Sequence, residues 1–423
     1  MIIDDILKVV YAPHKVFKDI VTNPKYLGAL IVLILFIGLE VGYEYSQFTK
    51  TYTEQTTPTI DQLSSFTNAT AWSSPNAALT NNFADYINYS VYIAGFGLPP
   101  QDPKAYYSLY GNSSLEMQTN NTSSITATLT NTTDVDCSPS GFQNFTISLK
   151  QTEAPQNAIL KLYSLRTTDF YQYDLTPLIS STSKLNEWNN LTIALGPNAA
   201  GWTPHGNNPQ WYNITSLELD FSYPSSSNKT VEIGALFFHG EYLSPVQYNS
   251  TGVALQFLQL FSLQFLIAWF VFTGIIYLLC RIMKSSVTWK ALFVAIGFAM
   301  FIMVIRGLVN LAATLTMPTI YYPYDLSLGL RFDPYAALYY PVEALRSLPA
   351  ASVTIFNSIN SATYAFRTIV TAMFVVSYVW LGAVGTMVIG ALRPEFSLIK
   401  RITISAVSLG VVILVLIFLV GSI

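Results

Sequence analysis

Ile402-Thr-Ile-Ser-Ala-Val-Ser-Leu-Gly-Val-Val-Ile-Leu-Val-Leu-Ile-Phe-Leu-Val420 runs without a single charged residue. The hydrocarbon core of a bilayer is about 30 Å thick and takes roughly 20 apolar helical residues to cross. The stretch therefore reads as a transmembrane helix. Back along the chain, Ile369–Leu392, Ala291–Leu315 and Val253–Cys280 meet the same requirement. A fifth stretch, Tyr26–Tyr43, is interrupted by Glu40 and could be taken for a signal peptide. However, 25 residues precede it and no Ala-x-Ala cleavage site follows, so it reads as an uncleaved first span. The whole chain agrees: 51% of its 423 residues are apolar, 11% are charged, and mean hydropathy is +0.39. A soluble chain carries roughly a quarter charged residues. The net charge of −3 offers nothing to nucleic acid.

Lys and Arg set the orientation, because they collect on the inner side. Lys8, Lys15, Lys18 and Lys25 precede the first span, Arg281, Lys284 and Lys290 follow the second, and Arg393, Lys400 and Arg401 follow the fourth. Five crossings with the N-terminus cytoplasmic and the C-terminus outside place every cluster inside. The segments 44–252 and 317–367 then lie outside a cell (plasma) membrane. Eleven Asn-x-Ser/Thr sequons fall in the first of these, at Asn68, Asn88, Asn112, Asn120, Asn121, Asn131, Asn144, Asn190, Asn213, Asn228 and Asn249. Composition alone would supply about six, so N-linked glycans are expected there. The two cysteines, Cys137 and Cys280, stand in a polar region and an apolar helix, and no disulfide is expected. Dense sequons without disulfides fit an archaeal cell surface.

Outside the spans the period changes. Residues 44–82 are rich in Thr, Ser and Asn and read as a stalk. Residues 83–243 alternate in short strands between turn residues, at Ser124–Thr130, Asn144–Lys150, Ala158–Ser164, Asn190–Leu195, Ser216–Ser222 and Lys229–Phe238. Such spacing predicts an antiparallel β-sandwich. The expected core is Phe145, Ile147, Leu149, Ile159, Leu160, Leu162, Leu191, Ile193, Leu195, Leu217, Leu219, Phe221, Ile233, Leu236 and Phe237. The fold class is thus a membrane α-helical bundle joined to an extracellular jelly-roll-like sandwich.

The cadence Trp188-Asn-Asn-Leu-Thr-Ile-Ala-Leu, Trp211-Tyr-Asn-Ile-Thr-Ser-Leu-Glu-Leu-Asp-Phe and Val231-Glu-Ile-Gly-Ala-Leu-Phe-Phe-His-Gly resembles the closing strands of jelly-roll carbohydrate-binding modules and galactose-binding-like domains. It departs from them at Gly234 and Ala235, where an acidic residue is expected. The resemblance implies a glycan ligand and a structural cation, for which Asp134 and Asp136 are the candidates. Aromatic rings stack on sugar faces, and Trp188, Trp202, Trp211 and Tyr212 are candidates for that platform; core packing is the competing use of the same residues.

Residues 1–25 form an inner-surface segment whose apolar residues Ile3, Ile6, Leu7, Val10, Phe17 and Ile20 gather on one side, with Pro13 dividing it into two short helices. The opening Tyr11-Ala-Pro-His-Lys-Val-Phe-Lys-Asp-Ile-Val-Thr-Asn-Pro-Lys resembles the start of the Yip domain family, five-span proteins named for partners among small GTPases. Tyr378-Val-Trp-Leu-Gly-Ala-Val-Gly-Thr and the span after Lys400 resemble its last two helices. That likeness implies a scaffold for protein partners, with the sandwich as an unusual insertion.

Gly382, Thr386 and Gly390 give the fourth span a small-residue stripe suited to helix packing. Counted at 1.5 Å per residue, Glu40 and Arg306 lie about 21 and 25 Å from the inner ends of their spans, so an ion pair is within reach. In the outer loop, Pro334–Ser347 reads as an interfacial helix among Tyr321, Tyr322, Tyr324, Tyr335, Tyr339 and Tyr340. No Walker loop, Gly-x-Ser-x-Gly or His-Glu-x-x-His occurs, and His14, placed inside, cannot join His205 and His239 outside. The sequence therefore reads as a non-enzymatic surface protein with the lipid bilayer, envelope proteins and glycan as partners and no cofactor. A transporter or permease subunit with a substrate-capturing ectodomain is the alternative, and a membrane-anchored hydrolase comes third for want of an acid/base pair.

Overall fold

A computed structural model describes residues 2–92, 106–165, 168–284, 286–327 and 350–420. The chain divides into a helical unit (Met1–Thr51, Ser244–Ile320, Ile359–Ile423) and a β unit (Tyr52–Leu243, Tyr321–Ser358).

In the helical unit α1 (Ile2–Tyr11) and α2 (Pro13–Thr22) are separated by Ala12, and Pro13 opens the second helix where its missing N–H costs nothing. Their buried stripe is Ile6, Val9, Val16, Phe17 and Ile20, while Ile3 and Leu7 are exposed. Then come α3 (Tyr26–Phe48), α4 (Pro245–Ile282), α5 (Trp289–Ala299), α6 (Phe301–Thr314), α7 (Tyr364–Leu392) and α8 (Leu398–Val420). With α5 and α6 taken as one rod, these supply five helices long and apolar enough to cross a membrane. The α5–α6 rod is the most enclosed of the five, with 78% of its apolar window buried.

The sequence explains this packing. Along α3 the buried residues Ala29, Val32, Phe36, Glu40, Tyr43 and Gln47 recur every three or four positions, which is one helical face. The opposite face is apolar too, with Leu27, Leu30 and Ile34 exposed. Glycine permits the close approach of α3 to α5: a Cβ on Gly28 would fall 1.9 Å from the ring of Phe298.

The β unit contains β1 (Thr51–Thr57), β2 (Trp72–Ser73), β3 (Ala78–Asn82), β4 (Ser90–Tyr92), β5 (Tyr106–Ser108), β6 (Ser114–Gln118), β7 (Thr122–Val135) and β8 (Asn144–Gln151). After these come β9 (Asn157–Ser164), β10 (Phe170–Asp174), β11 (Asn189–Ala194), β12 (Trp202–His205), β13 (Ile214–Ser227), β14 (Thr230–Leu243) and β15 (Ile320–Tyr322). One sheet runs β11-β8-β14-β1-β15, with β6 and β3 branching from β14; a second runs β12-β10-β9-β13-β7-β2, and β4 pairs with β5 apart from both. Their inner faces share one core that includes Phe145, Ile147, Leu160, Leu162, Leu219 and Phe221.

Three expectations are corrected. The segment expected to be a stalk folds instead: β1 pairs with β14, and Ile60–Thr67 forms a 3-10 helix. It escapes notice because the residues β1 buries are Thr51, Glu54 and Thr56, which carry no apolar alternation. In the core, a register shift between Ile233 and Ala235 in β14 turns the pattern by one residue. Phe238 joins the core, while Phe237 is buried outside it. Ile159 lies on the opposite face of β9 from the core residues Ala158, Leu160 and Leu162. In the outer loop, Ala350–Ala362 is helical and the fourth apolar helix begins at Tyr364. The expected helix Pro334–Ser347, with Tyr335, Tyr339 and Tyr340, lies outside the described residues.

Candidate functional site

The outer face of the six-stranded sheet carries a lattice of polar and aromatic side chains. Alternation on β9, β10 and β13 sends Leu160, Leu162, Tyr171, Leu217 and Leu219 inward and leaves their neighbours in water. Register then aligns those neighbours in rows across the strands. One row is His205, Phe170, Tyr163 and Ser216; the next is Thr203, Gln172, Lys161, Glu218 and Thr128. The His205 ring stacks on Phe170 at 4.8 Å, and Tyr163 lies tilted 5.2 Å away on its other side. Lys161 Nζ pairs with Glu218 Oε1 at 2.7 Å and sits 5.9 Å from the Phe170 ring centroid. The Tyr163 hydroxyl donates to Glu218 Oε2 at 3.2 Å. Partial burial and the Glu218 charge push that phenol up to about 12, so it stays a donor. The face thus offers three coplanar-to-tilted rings beside fixed donors and acceptors, and all of these groups are partly exposed.

The four aromatic residues singled out in the sequence do not form one platform. Trp202 and Trp211 meet edge to face at 5.3 Å, Trp211 stacks on Tyr171 at 3.9 Å, and Tyr173 tilts against Trp202. Trp202 Nε1 donates to the Ala194 carbonyl. Trp211 is buried in the core, and only Tyr212 beside it is exposed. Trp188 precedes β11 and packs on the other sheet, where a Cβ on Gly234 would fall 2.8 Å from its ring. Close packing of Trp188 and Ile87 is therefore what glycine serves in place of an acidic residue.

The outer face of the seven-stranded sheet is covered. Phe237 stacks with Tyr110 at 6.0 Å and meets Tyr324 edge-on at 5.1 Å. Beneath that layer Glu54 Oε1 contacts His239 Nδ1 at 2.7 Å, and His239 Nε2 contacts Thr146 at 2.9 Å. Asp325 is buried; its Oδ2 accepts from Ser352 and Tyr89, the Leu326 backbone N–H also donates to the carboxyl, and Oδ1 has no partner within hydrogen-bond distance among the described residues. Burial holds this carboxyl above the ordinary carboxylate range despite those donors.

Among the sequon residues Asn68, Asn88, Asn112, Asn120, Asn121, Asn190, Asn228 and Asn249 are exposed, and Asn144 and Asn213 are half-buried. None belongs to the two rows described above. Asn131 stands on β7 beyond the pairing of Ser216 with Thr130. Asp134 and Asp136 are exposed, and Asp136 accepts from the Ser138 amide. Among the described residues no three His, Cys, Asp or Glu side chains converge on a metal position.

In the helical unit Arg306 Nη2 and Nε donate to Glu40 Oε1 at 2.8 and 3.2 Å, and both residues are buried. Gly382 faces Leu409, Gly390 faces Arg401, and Thr386 donates back to the Gly382 carbonyl. The small-residue stripe therefore meets α8 of the same chain.

No protein family and no curated protein matches the chain. Among solved structures, a family 11 carbohydrate-binding module from Clostridium thermocellum, in complex with a mixed-linked tetrasaccharide, aligns at 10% identity and TM-score 0.25. The alignment covers 44% of this chain and 94% of the module. A family 30 carbohydrate-binding module of a Clostridium thermocellum cellulosomal cellulase aligns at 14% identity and TM-score 0.23, covering 38% and 96%. An exo-β-agarase aligns at 11% identity and TM-score 0.27, covering 41% of this chain and 24% of the enzyme. Similarities of this size say nothing about a ligand.

Proposed function

We propose that this protein is a non-enzymatic, membrane-embedded surface protein that binds glycan on the outer face of its six-stranded sheet. One observation carries the reading: His205, Phe170 and Tyr163 form a row of rings beside Gln172, Lys161 and Glu218 on a face left in water. Sugar rings present apolar C–H faces and equatorial hydroxyls, which such rings and such planar polar groups match. The sequons support the same face, since occupied Asn68, Asn120, Asn121, Asn190 and Asn228 would coat other parts of the sandwich. The five apolar helices cross the plasma membrane with the N-terminus cytoplasmic and the sandwich outside, anchoring the site at the cell envelope. The Yip-like opening and closing helices would then serve as the scaffold that holds envelope partners.

The test is retention of full-length protein, in lipid nanodiscs, on immobilised neutral and acidic polysaccharides. Wild type should be retained by at least one class, and Phe170→Ala with Tyr163→Ala should lose retention while melting within a few degrees of wild type. Retention by none, or equal retention of the double variant, overturns the proposal.

A further inference from the structure

Arg306 is one of the few charged side chains inside the helical unit, where its guanidinium bonds to Glu40. A guanidinium carries five N–H donors and cannot shed its charge. Two of them point at Glu40 Oε1, and the Tyr378 side chain lies close enough to interact with the guanidinium. Arg306 also borders a cavity of about 20 Å3. Gln264, 6% exposed, and Tyr378, 7% exposed, border the same space. Its apolar wall includes Phe36, Phe265, Met303 and Leu416, so all five apolar helices contribute to it.

Size and chemistry together select the occupant. A cavity needs roughly 10–15 Å3 of this kind of space and two to four polar partners to hold a water molecule, and a purely apolar cavity stays dry. This one has room for one water and offers three polar side chains. A larger solute does not fit, and a bare cation is repelled by Arg306.

We propose that one ordered water molecule sits against Arg306, accepting from its guanidinium and bonded to Gln264 and Tyr378. It completes the hydration of the Glu40–Arg306 pair without opening a path through the bundle. The water then ties α4, α6 and α7 to one point, and the ion pair extends that tie to α3. This proposal rests on the helical unit alone and stands or falls independently of glycan binding.

The experiment is proton-detected solid-state NMR of full-length protein in lipid, reading magnetisation transfer from water to the Arg306 side chain. That signal is assigned by its disappearance in Arg306→Lys. Transfer is expected in wild type and should be lost in Ala268→Met, whose longer side chain enters the cavity. Absence of transfer in wild type, or its persistence in Ala268→Met, overturns the proposal.

Discussion

In the β unit apolar side chains alternate inward, and the charges of Lys161, Glu218 and Asp220 are partly exposed on the opposite face. In the helical unit the arrangement is reversed. Leu30, Ile34, Phe270, Leu278, Val379 and Phe418 are exposed, while Glu40 and Arg306 are buried as a pair. One chain therefore carries two patterns of burial. The helical unit has the pattern expected of a bundle in lipid, where polar groups must find partners inside. A smaller contrast repeats within the sandwich. One sheet hides its outer face under Tyr110 and Tyr324, whereas the other leaves Phe170 and Tyr163 uncovered. The uncovered face is where binding is proposed.

Five substitutions sharpen this contrast. Arg306→Leu leaves Glu40 as an unpaired buried charge and should cost about 3–5 kcal/mol, with Glu40→Leu in the same chain restoring most of it. Thermal unfolding in nanodiscs reads both. The partly exposed counterpart, Lys161→Met, should cost no more than about 1 kcal/mol; equal losses for the two would erase the distinction between the two patterns. Leu219→Ala, deep in the sandwich, should cost about 2–5 kcal/mol by leaving a cavity. Phe170→Ala should change stability by about 0.5 kcal/mol or less but weaken glycan retention tenfold or more, checked on the same preparation.

The smallest expected effect is a pH dependence. Because burial raises the Asp325 carboxyl, the folded chain holds that proton more tightly than the unfolded chain. Its contribution is complete below the ordinary value of 3.8 and declines as pH rises through the raised one. Asp325→Asn should flatten that decline in unfolding curves recorded across the acidic range; an unchanged slope would assign it to other groups.

Much of this was legible in the sequence for physical reasons. Runs of some twenty apolar residues have few alternatives, and β7, β8, β9, β11, β13 and β14 alternate over enough residues to announce themselves. The pairing of Glu40 with Arg306 follows from depth along two helices, and the atoms lie 2.8 Å apart. What stayed hidden depends on register. β1 buries Thr51, Glu54 and Thr56, so no apolar rhythm marks it. The row of His205, Phe170 and Tyr163 exists only once β12, β10 and β9 are paired, and the five residues of β10 give little sign of which side faces water. The tryptophans were candidates because such rings stack on sugars; packing assigns Trp211 to the core and Trp202 to the aromatic cluster beside it.

The most direct test is hydrogen–deuterium exchange of full-length protein in nanodiscs, with and without a polysaccharide that retains it. Added glycan should slow exchange in β9, β10, β12 and β13 and leave β8, β11 and the helical unit unchanged. Protection confined to the strands of the other sheet, or to the helices, would contradict the assignment of the binding face.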